Sequence, residues 1–484
     1  MMQTKPAVSG TLVAGVAQVD ITNRAAGPVH DPLFVKALVL GDGVSLAVII
    51  TVDAVAIAEI GSIRNDYLED VRTRLHDTLG IDPAAVIVNA SHCHGAVCAD
   101  VADRTVQAVT EAYGSMVPVR VGAGTGHEDR IMENRRLKLR DGSEADARRA
   151  YPLPPDEEVA GVGPVDPEIG ILRLDRENGQ ALALVYTFAC HPIQGVPGGG
   201  TTADLVGFAS KVIEDSVGAV ALFLQGCAGD INPTRYKDVE NPPDAESLGN
   251  LLGLSVVRAL RGIESQPGAG LKVFREVIEL PREDLSPHIE RLQEEQTRLL
   301  ASLRPTDINC KTFLQLLLKQ RLSPDFPSYY SHRYLHDRAL GRDGLDRLDA
   351  RNREGVERYL ANIHTMERLT RVQTNLALLK LHHAQNLAAG TATLRAEVMG
   401  LRVGEFVLVT FPGELSVEIG LGIKQRSPHD LAFVAGVTNG YIYYAPTAEQ
   451  LRNRGGAQED SDCLLAPEWQ ARFEDTVADL LTRL

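Results

Sequence analysis

The chain has 484 residues, 44% of them hydrophobic, enough to bury the core of two or three average domains or of one large α/β domain with insertions. A net charge of −15 excludes a broad basic surface for nucleic acid and argues against electrostatic docking of the whole molecule onto an anionic membrane. No apolar run reaches the roughly 18–20 residues that span a bilayer, and the start MMQTKPAVSGTLVAG lacks a secretory pattern. The expected location is therefore cytoplasmic, and the six cysteines, none in a CxxC pair, read as reduced thiols.

In chain order, residues 10–280 alternate short β-branched runs with helical and Gly/Pro-rich stretches, as α/β proteins do. SLAVIITV (45–52) runs into Asp53, and VIVNA (86–90) into Ser91-His92-Cys93-His94. ALALVYTF (181–188) runs into Ala189-Cys190-His191-Pro192, and AVALFLQG into Cys227-Ala228-Gly229-Asp230. Residues 283–390 read as helical. Ser286-Pro287 gives an N-cap with Pro at the first helical position. A second long helix is expected over 345–388, with Val356, Tyr359, Ile363, Met366, Leu369 and Val372 along one stripe and Gly390 near its end. From about 391 the strand pattern resumes. EFVLVTF (405–411) leads to Pro412-Gly413-Glu414, LAFVAG (431–436) leads to Thr438-Asn439-Gly440-Tyr441, and a terminal helix is expected at 467–484.

The fold class expected is α/β, a mixed β-sheet core layered with helices, plus a helical insertion. Residues 1–280 and 391–484 form one catalytic domain and 281–390 the insertion, because strands of one sheet flank it.

Six buried-type strands each deliver a polar or metal-competent residue just past their carboxyl end, where open α/β sheets bind ligands. Two histidines and a glutamate, His92, His191 and Glu414, match the ligand inventory of catalytic zinc sites, in which water takes the open position. In an extended segment His92 and His94 point to one side, so one can ligate while the other moves a proton. Strands that are not all parallel would put some of these residues at opposite edges of the sheet.

At these residues the chain resembles the neutral ceramidase family. Gly15-Val16-Ala17-Gln18-Val19-Asp20-Ile21-Thr22, Asp31-Pro32-Leu33-Phe34-Val35-Lys36-Ala37-Leu38, Ser91-His92-Cys93-His94-Gly95 and Gln225-Gly226-Cys227-Ala228-Gly229-Asp230 resemble its motifs in the right order. The resemblance implies zinc held by His92, His191, Glu414 and Tyr441, a substrate-facing His94, and Asn134-Arg135, with Arg135 stabilising developing negative charge. Where family accounts place a Ser nucleophile, this chain has Asn232, so metal-activated water is the expected nucleophile. Leu451 stands where family members often carry a Tyr. Asn134, Asp204, Asp230 and Asn439 are expected around the substrate.

The expected activity is zinc-dependent hydrolysis of an N-acyl amide, on a small-molecule or lipid-like substrate. A zinc esterase, lactonase or deacylase acting on a small or sugar-derived substrate stays open. So do a cysteine hydrolase through Cys93 or Cys227, and a non-enzymatic binding protein whose helical insertion docks a partner; the inserted helices also offer surface for a homo-oligomer. The Gly198-Gly199-Gly200-Thr201-Thr202 loop lacks P-loop features, and His332/His336 read as a surface pair.

Overall fold

A computed structural model of the chain describes residues 11–148, 151–238 and 240–484. The start of the chain, inspected above for a leader, falls largely outside the described residues.

One eight-stranded sheet runs in the order Val220–Gln225, Ala181–Phe188, Glu168–Arg176, Val117–His127, Val13–Asp20, Phe34–Gly41, Leu46–Val52, Val86–Ala90. A second, four-stranded sheet runs Leu271–Pro281, Thr393–Val403, Phe406–Thr410, Ala432–Ala435. The strands read as continuous apolar runs because both faces are covered, and their period of two separates an inner from an outer core. In Phe34–Gly41, Leu38 and Leu40 face the inner core while Val35, Ala37 and Val39 face outward. Ala183 and Val185 alternate in the same way with Leu184 and Tyr186, and Phe406 and Leu408 with Val407 and Val409.

Three blocks of strands therefore share one inner core: the two halves of the long sheet and the four-stranded sheet. Each block has its own helical cover. Helices Tyr67–Leu79 and Val101–Gly114 cover the first block, through Val71, Leu75, Ala108 and Val109. Asp204–Val217 and Ala245–Ala259 cover the second, and Val417–Arg426 with Trp469–Arg483 the third. Each such Leu, Val or Ile contributes about 1.5–3 kcal/mol when fully buried.

The six strands that lead to polar residues do not lie in one parallel sheet. They form three parallel pairs: Leu46–Val52 with Val86–Ala90, Ala181–Phe188 with Val220–Gln225, and Phe406–Thr410 with Ala432–Ala435. The first two pairs run in opposite senses along the ladder, because antiparallel neighbours separate them. Their carboxyl ends meet nonetheless, because the long sheet curls until its two edge strands touch. Asn89, fully buried, ties the junction: its Nδ2 donates to Gly436 O (2.8 Å) and Thr438 Oγ1 (2.9 Å), and its Oδ1 accepts from Gln225 N (3.0 Å). Ala90 N to Val437 O and Gly436 N to Gln225 O complete it.

Strands Leu271–Pro281 and Thr393–Val403 pair antiparallel along their whole length, from Leu271 opposite Val403 to Pro281 opposite Thr393. Between them lie helices Ser286–Ser302, Cys310–Leu322, Ser331–Ala339 and Gly344–Ala389. The last matches the expected helix within a residue at each end and is closed by Gly390 at φ 62°, the left-handed cap that glycine adopts without strain. The first helix begins at Ser286 itself; Asp284 Oδ1 accepts from its backbone N and its hydroxyl, one residue's difference from the expected cap.

Candidate metal centre

His92, His191 and Glu414 are all buried, and one ligand atom from each lies within 4.8 Å of the others. His92 follows strand Val86–Ala90 and adopts φ 67°, a left-handed conformation that costs a non-glycine residue about 1–3 kcal/mol. Its N–H to Ala54 O (2.9 Å) holds it there. Val437 (φ 47°), Asn439 (φ 57°) and Tyr443 (φ 65°) share this strain on the segment leading to the same place. Gly229 permits the close approach of the Glu414 strand: a Cβ there would sit 2.7 Å from Glu414 O, where Gly229 N now donates to Leu415 O at 2.8 Å.

The hydrogen bonds fix the tautomers. His92 Nδ1 lies 2.7 Å from Val55 O, and His191 Nδ1 lies 2.9 Å from Ile231 O. A carbonyl only accepts, so each Nδ1 carries the proton and each Nε2 turns inward. Both Nε2 atoms face one oxygen, Glu414 Oε2, at 3.4 and 2.9 Å. Burial, reinforced by the nearby Arg135 charge, lowers His191 to about 4. Burial also disfavours a charge on His92, but the Glu414 carboxylate outweighs it and raises that imidazole. Glu414, although buried, is held well below the usual carboxylate range by His92 and His191. Two inward ring nitrogens and one ionised carboxylate are a donor set that a divalent cation fits. Tyr441 adds a hydroxyl that donates to Glu414 Oε1 at 2.6 Å. Burial, with the carboxylate next to it, raises this phenol well above its ordinary value.

His94 is exposed, its ring 5.6 Å from that of His92. Withdrawal of water by the surrounding protein and repulsion from His92 lower it to about 4.

Arg135 is buried beside the histidines. Its Nε donates to Glu459 (2.6 Å), and its terminal nitrogens reach Asn232 Oδ1 (3.0 Å), Gly229 O and the Tyr444 hydroxyl (3.3 Å). Arg148 joins from the opposite side, 5.1 Å from the Tyr444 ring and 3.2 Å from Glu459. Burial favours a protonated Glu459, yet Arg135, Arg148 and Arg136 hold it at about 2. Of this arginine layer the sequence points to Arg135 alone and not to Glu459, Arg148 or Tyr444. Its only signal was a cluster of basic residues at 135–148 and a Glu-Asp pair at 459–460, separated by over three hundred residues.

The other expected site residues direct their polar atoms to the scaffold. Asn134 donates to Pro164 O and Asp230 Oδ2, and Asp230 Oδ1 accepts from Val417 N. Asp204 accepts from Gly195 N and Leu205 N, latching the glycine loop. Asn439 bonds to Val88 N and Glu397. The structure does not bring these four side chains to the histidine–glutamate group. Cys93, Cys190 and Cys227 are buried, and burial pushes each thiol up, the reverse of what a thiolate nucleophile needs.

Compared with solved structures, the chain superposes on neutral ceramidase from Pseudomonas aeruginosa with a TM-score of 0.61 and 16% identity, over 98% of this chain and 75% of that one. The chain has the neutral ceramidase fold. A ceramidase complexed with C2 matches equally, with a TM-score of 0.61 and 16% identity over 97% of this chain and 75% of its own. No family model and no curated sequence matches the chain. The resemblance read in the sequence motifs thus holds across the architecture. No helix among the described residues is long and apolar enough to cross a membrane.

Proposed function

We propose that the chain is a zinc-dependent hydrolase of the neutral ceramidase type that cleaves an N-acyl amide bond. The observation that carries this reading is the convergence of two carbonyl-locked imidazoles on one oxygen of an ionised, buried carboxylate. His92, His191 and Glu414 would hold the ion, and Tyr441 would hold Glu414 in place or complete the set. Zinc supplies a Lewis acid and a water acidified to near neutrality.

The protein's own groups do the rest. His94, neutral at pH 7, takes a proton from the attacking water and passes it to the leaving amine. Arg135, fixed by Glu459 and Asn232, presents a permanent positive charge to the negative charge that develops on the carbonyl oxygen. Asn232 lacks a nucleophilic oxygen and acts here by orienting Arg135. Asn134, Asp204, Asp230 and Asn439 serve the substrate through the loops and strand ends they tie. Residues 1–280 and 391–484 act as one catalytic body, with 281–390 as its insertion.

Polar neighbours favour a second reading, in which a small ester, lactone or sugar-linked acyl group is cleaved by the same machinery: His94 lies beside His92, and Tyr444, with Arg148 over its ring, beside His191. A panel of matched N-acyl and O-acyl substrates, measured alongside metal content, separates the two. Full metal content and full turnover in His92→Ala would overturn both.

A further inference from the structure

The helical segment is anchored at one end. Leu369, Val372, Leu376 and Leu379 of helix Gly344–Ala389 are buried, Arg371 pairs with Asp146, and His382 bonds to Asp462 at 2.6 Å. This helix has 46 residues, about 69 Å at 1.5 Å per residue, so its amino-terminal half extends away from that anchorage. There it carries helices Cys310–Leu322 and Ser331–Ala339, attached through Phe313 stacked on Tyr359 and through Tyr334 bonded to Asp349.

Helix Cys310–Leu322 turns its other side to solvent. Leu314, Leu318 and Leu322, spaced one turn apart on one face, are 56%, 59% and 77% exposed. Lys311 and Arg321 fall on the same face at helical spacing and are exposed. Tyr329 and Tyr330, in the connection to the next helix, are exposed too.

The charge here is opposite to that of the whole chain: residues 310–342 hold six Lys and Arg against two Asp, on a molecule of net charge −15. The bases also differ in their partners. Arg347, Arg358, Arg368 and Arg371 on the long helix are each paired with a carboxylate. Lys311, Lys319, Arg321 and Arg333 make no ion pair among the described residues.

We propose that this distal tip docks on an anionic phospholipid surface. Protruding leucines interleaved with unpaired Lys and Arg are the chemistry of an interfacial helix: the leucines enter the acyl boundary, while the long basic stems keep their charge among the headgroups. Tyrosine is suited to the same depth. A second copy of the tip would set unpaired cations against cations, which disfavours a two-fold contact on this face. The low net charge argued against membrane docking of the whole molecule; concentrating the cations on one projection removes that objection, because the attraction falls off within a Debye length.

The test is co-sedimentation of the full chain with vesicles of phosphatidylcholine alone or mixed with phosphatidylglycerol. Binding is expected only with phosphatidylglycerol and is expected to weaken with salt. Lys311→Glu with Arg321→Glu should weaken it by about tenfold or more, and Leu314→Ser with Leu318→Ser and Leu322→Ser should abolish it. Turnover of a water-soluble acyl substrate should stay at the parent level in both variants, which shows that the body is folded. Absence of binding to the mixed vesicles, equal binding to phosphatidylcholine alone, or unchanged binding by both variants overturns the proposal. So does sedimentation showing that the patch drives self-association instead.

Discussion

Two buried polar clusters lie side by side in this molecule and are balanced differently. In the arginine layer every charge has its counter-charge in the protein: Arg135, Arg136 and Arg148 surround Glu459, and Arg136 is shared with Asp460 and Glu144. In the neighbouring histidine–glutamate group, two ring nitrogens, His92 Nε2 and His191 Nε2, converge on one carboxylate oxygen. The first cluster balances its own charges and fixes Arg135 in place. The second gathers two imidazoles and one carboxylate, a donor set that suits a divalent cation.

The largest expected effect breaks the second cluster. His191→Ala or Glu414→Gln should abolish stoichiometric metal and lower turnover by about 10³-fold or more, read by metal analysis and acyl-substrate kinetics. Next comes the first cluster: Glu459→Ala strands buried arginines and should cost about 3–5 kcal/mol of stability, measured by urea unfolding, while folded protein still binds metal. Equal loss of metal in that variant would merge the two clusters into one. Tyr441→Phe removes only the hydroxyl on Glu414 Oε1 and should weaken metal affinity by about 10–100-fold, read by chelator competition.

The smallest effect concerns buried carboxylates that neither cluster serves. Burial raises Asp53 and Asp31 to about 6. A folded-state value above the unfolded one stabilises below about 4, and that contribution is lost as pH rises through about 6. Glu459, held at about 2, works the other way and is lost only as pH falls toward 2. The urea midpoint should therefore decline from pH 4 to 6, and Asp53→Asn should flatten that decline.

The strands over 86–90 and 181–188 and the long helix were legible in the sequence because their signals are local: β-branched runs covered on both faces, and a helical stripe closed by glycine. The residues at His92, His191 and Glu414 were legible because each follows such a strand directly. Strand direction was not legible. The expected mixed core takes the form of three parallel pairs from a curled sheet and its neighbour, and the curl is a tertiary property with no short-range signature. Asn89 looked like one more strand residue, although its side chain joins all three blocks. Asn439 and Asp204 were expected at the substrate because polar residues past strand ends suggest function. Both sit at positive φ, and their side chains secure those turns.

Pro281 and Thr393 are cross-strand neighbours, so the chain leaves the body and returns to it across about 5 Å. Residues 282–392 thus enter and exit through one doorway. Replacing them with a tight turn would leave the register of that sheet intact, and the cost falls on the contacts that the departing helices made with the body, not on the strands that carry them. Evolution or an engineer can exchange whatever hangs from that doorway and keep the strands, provided the replacement restores the support of the segment behind Tyr441, where Gln385 donates to the Tyr443 hydroxyl and His382 packs on its ring.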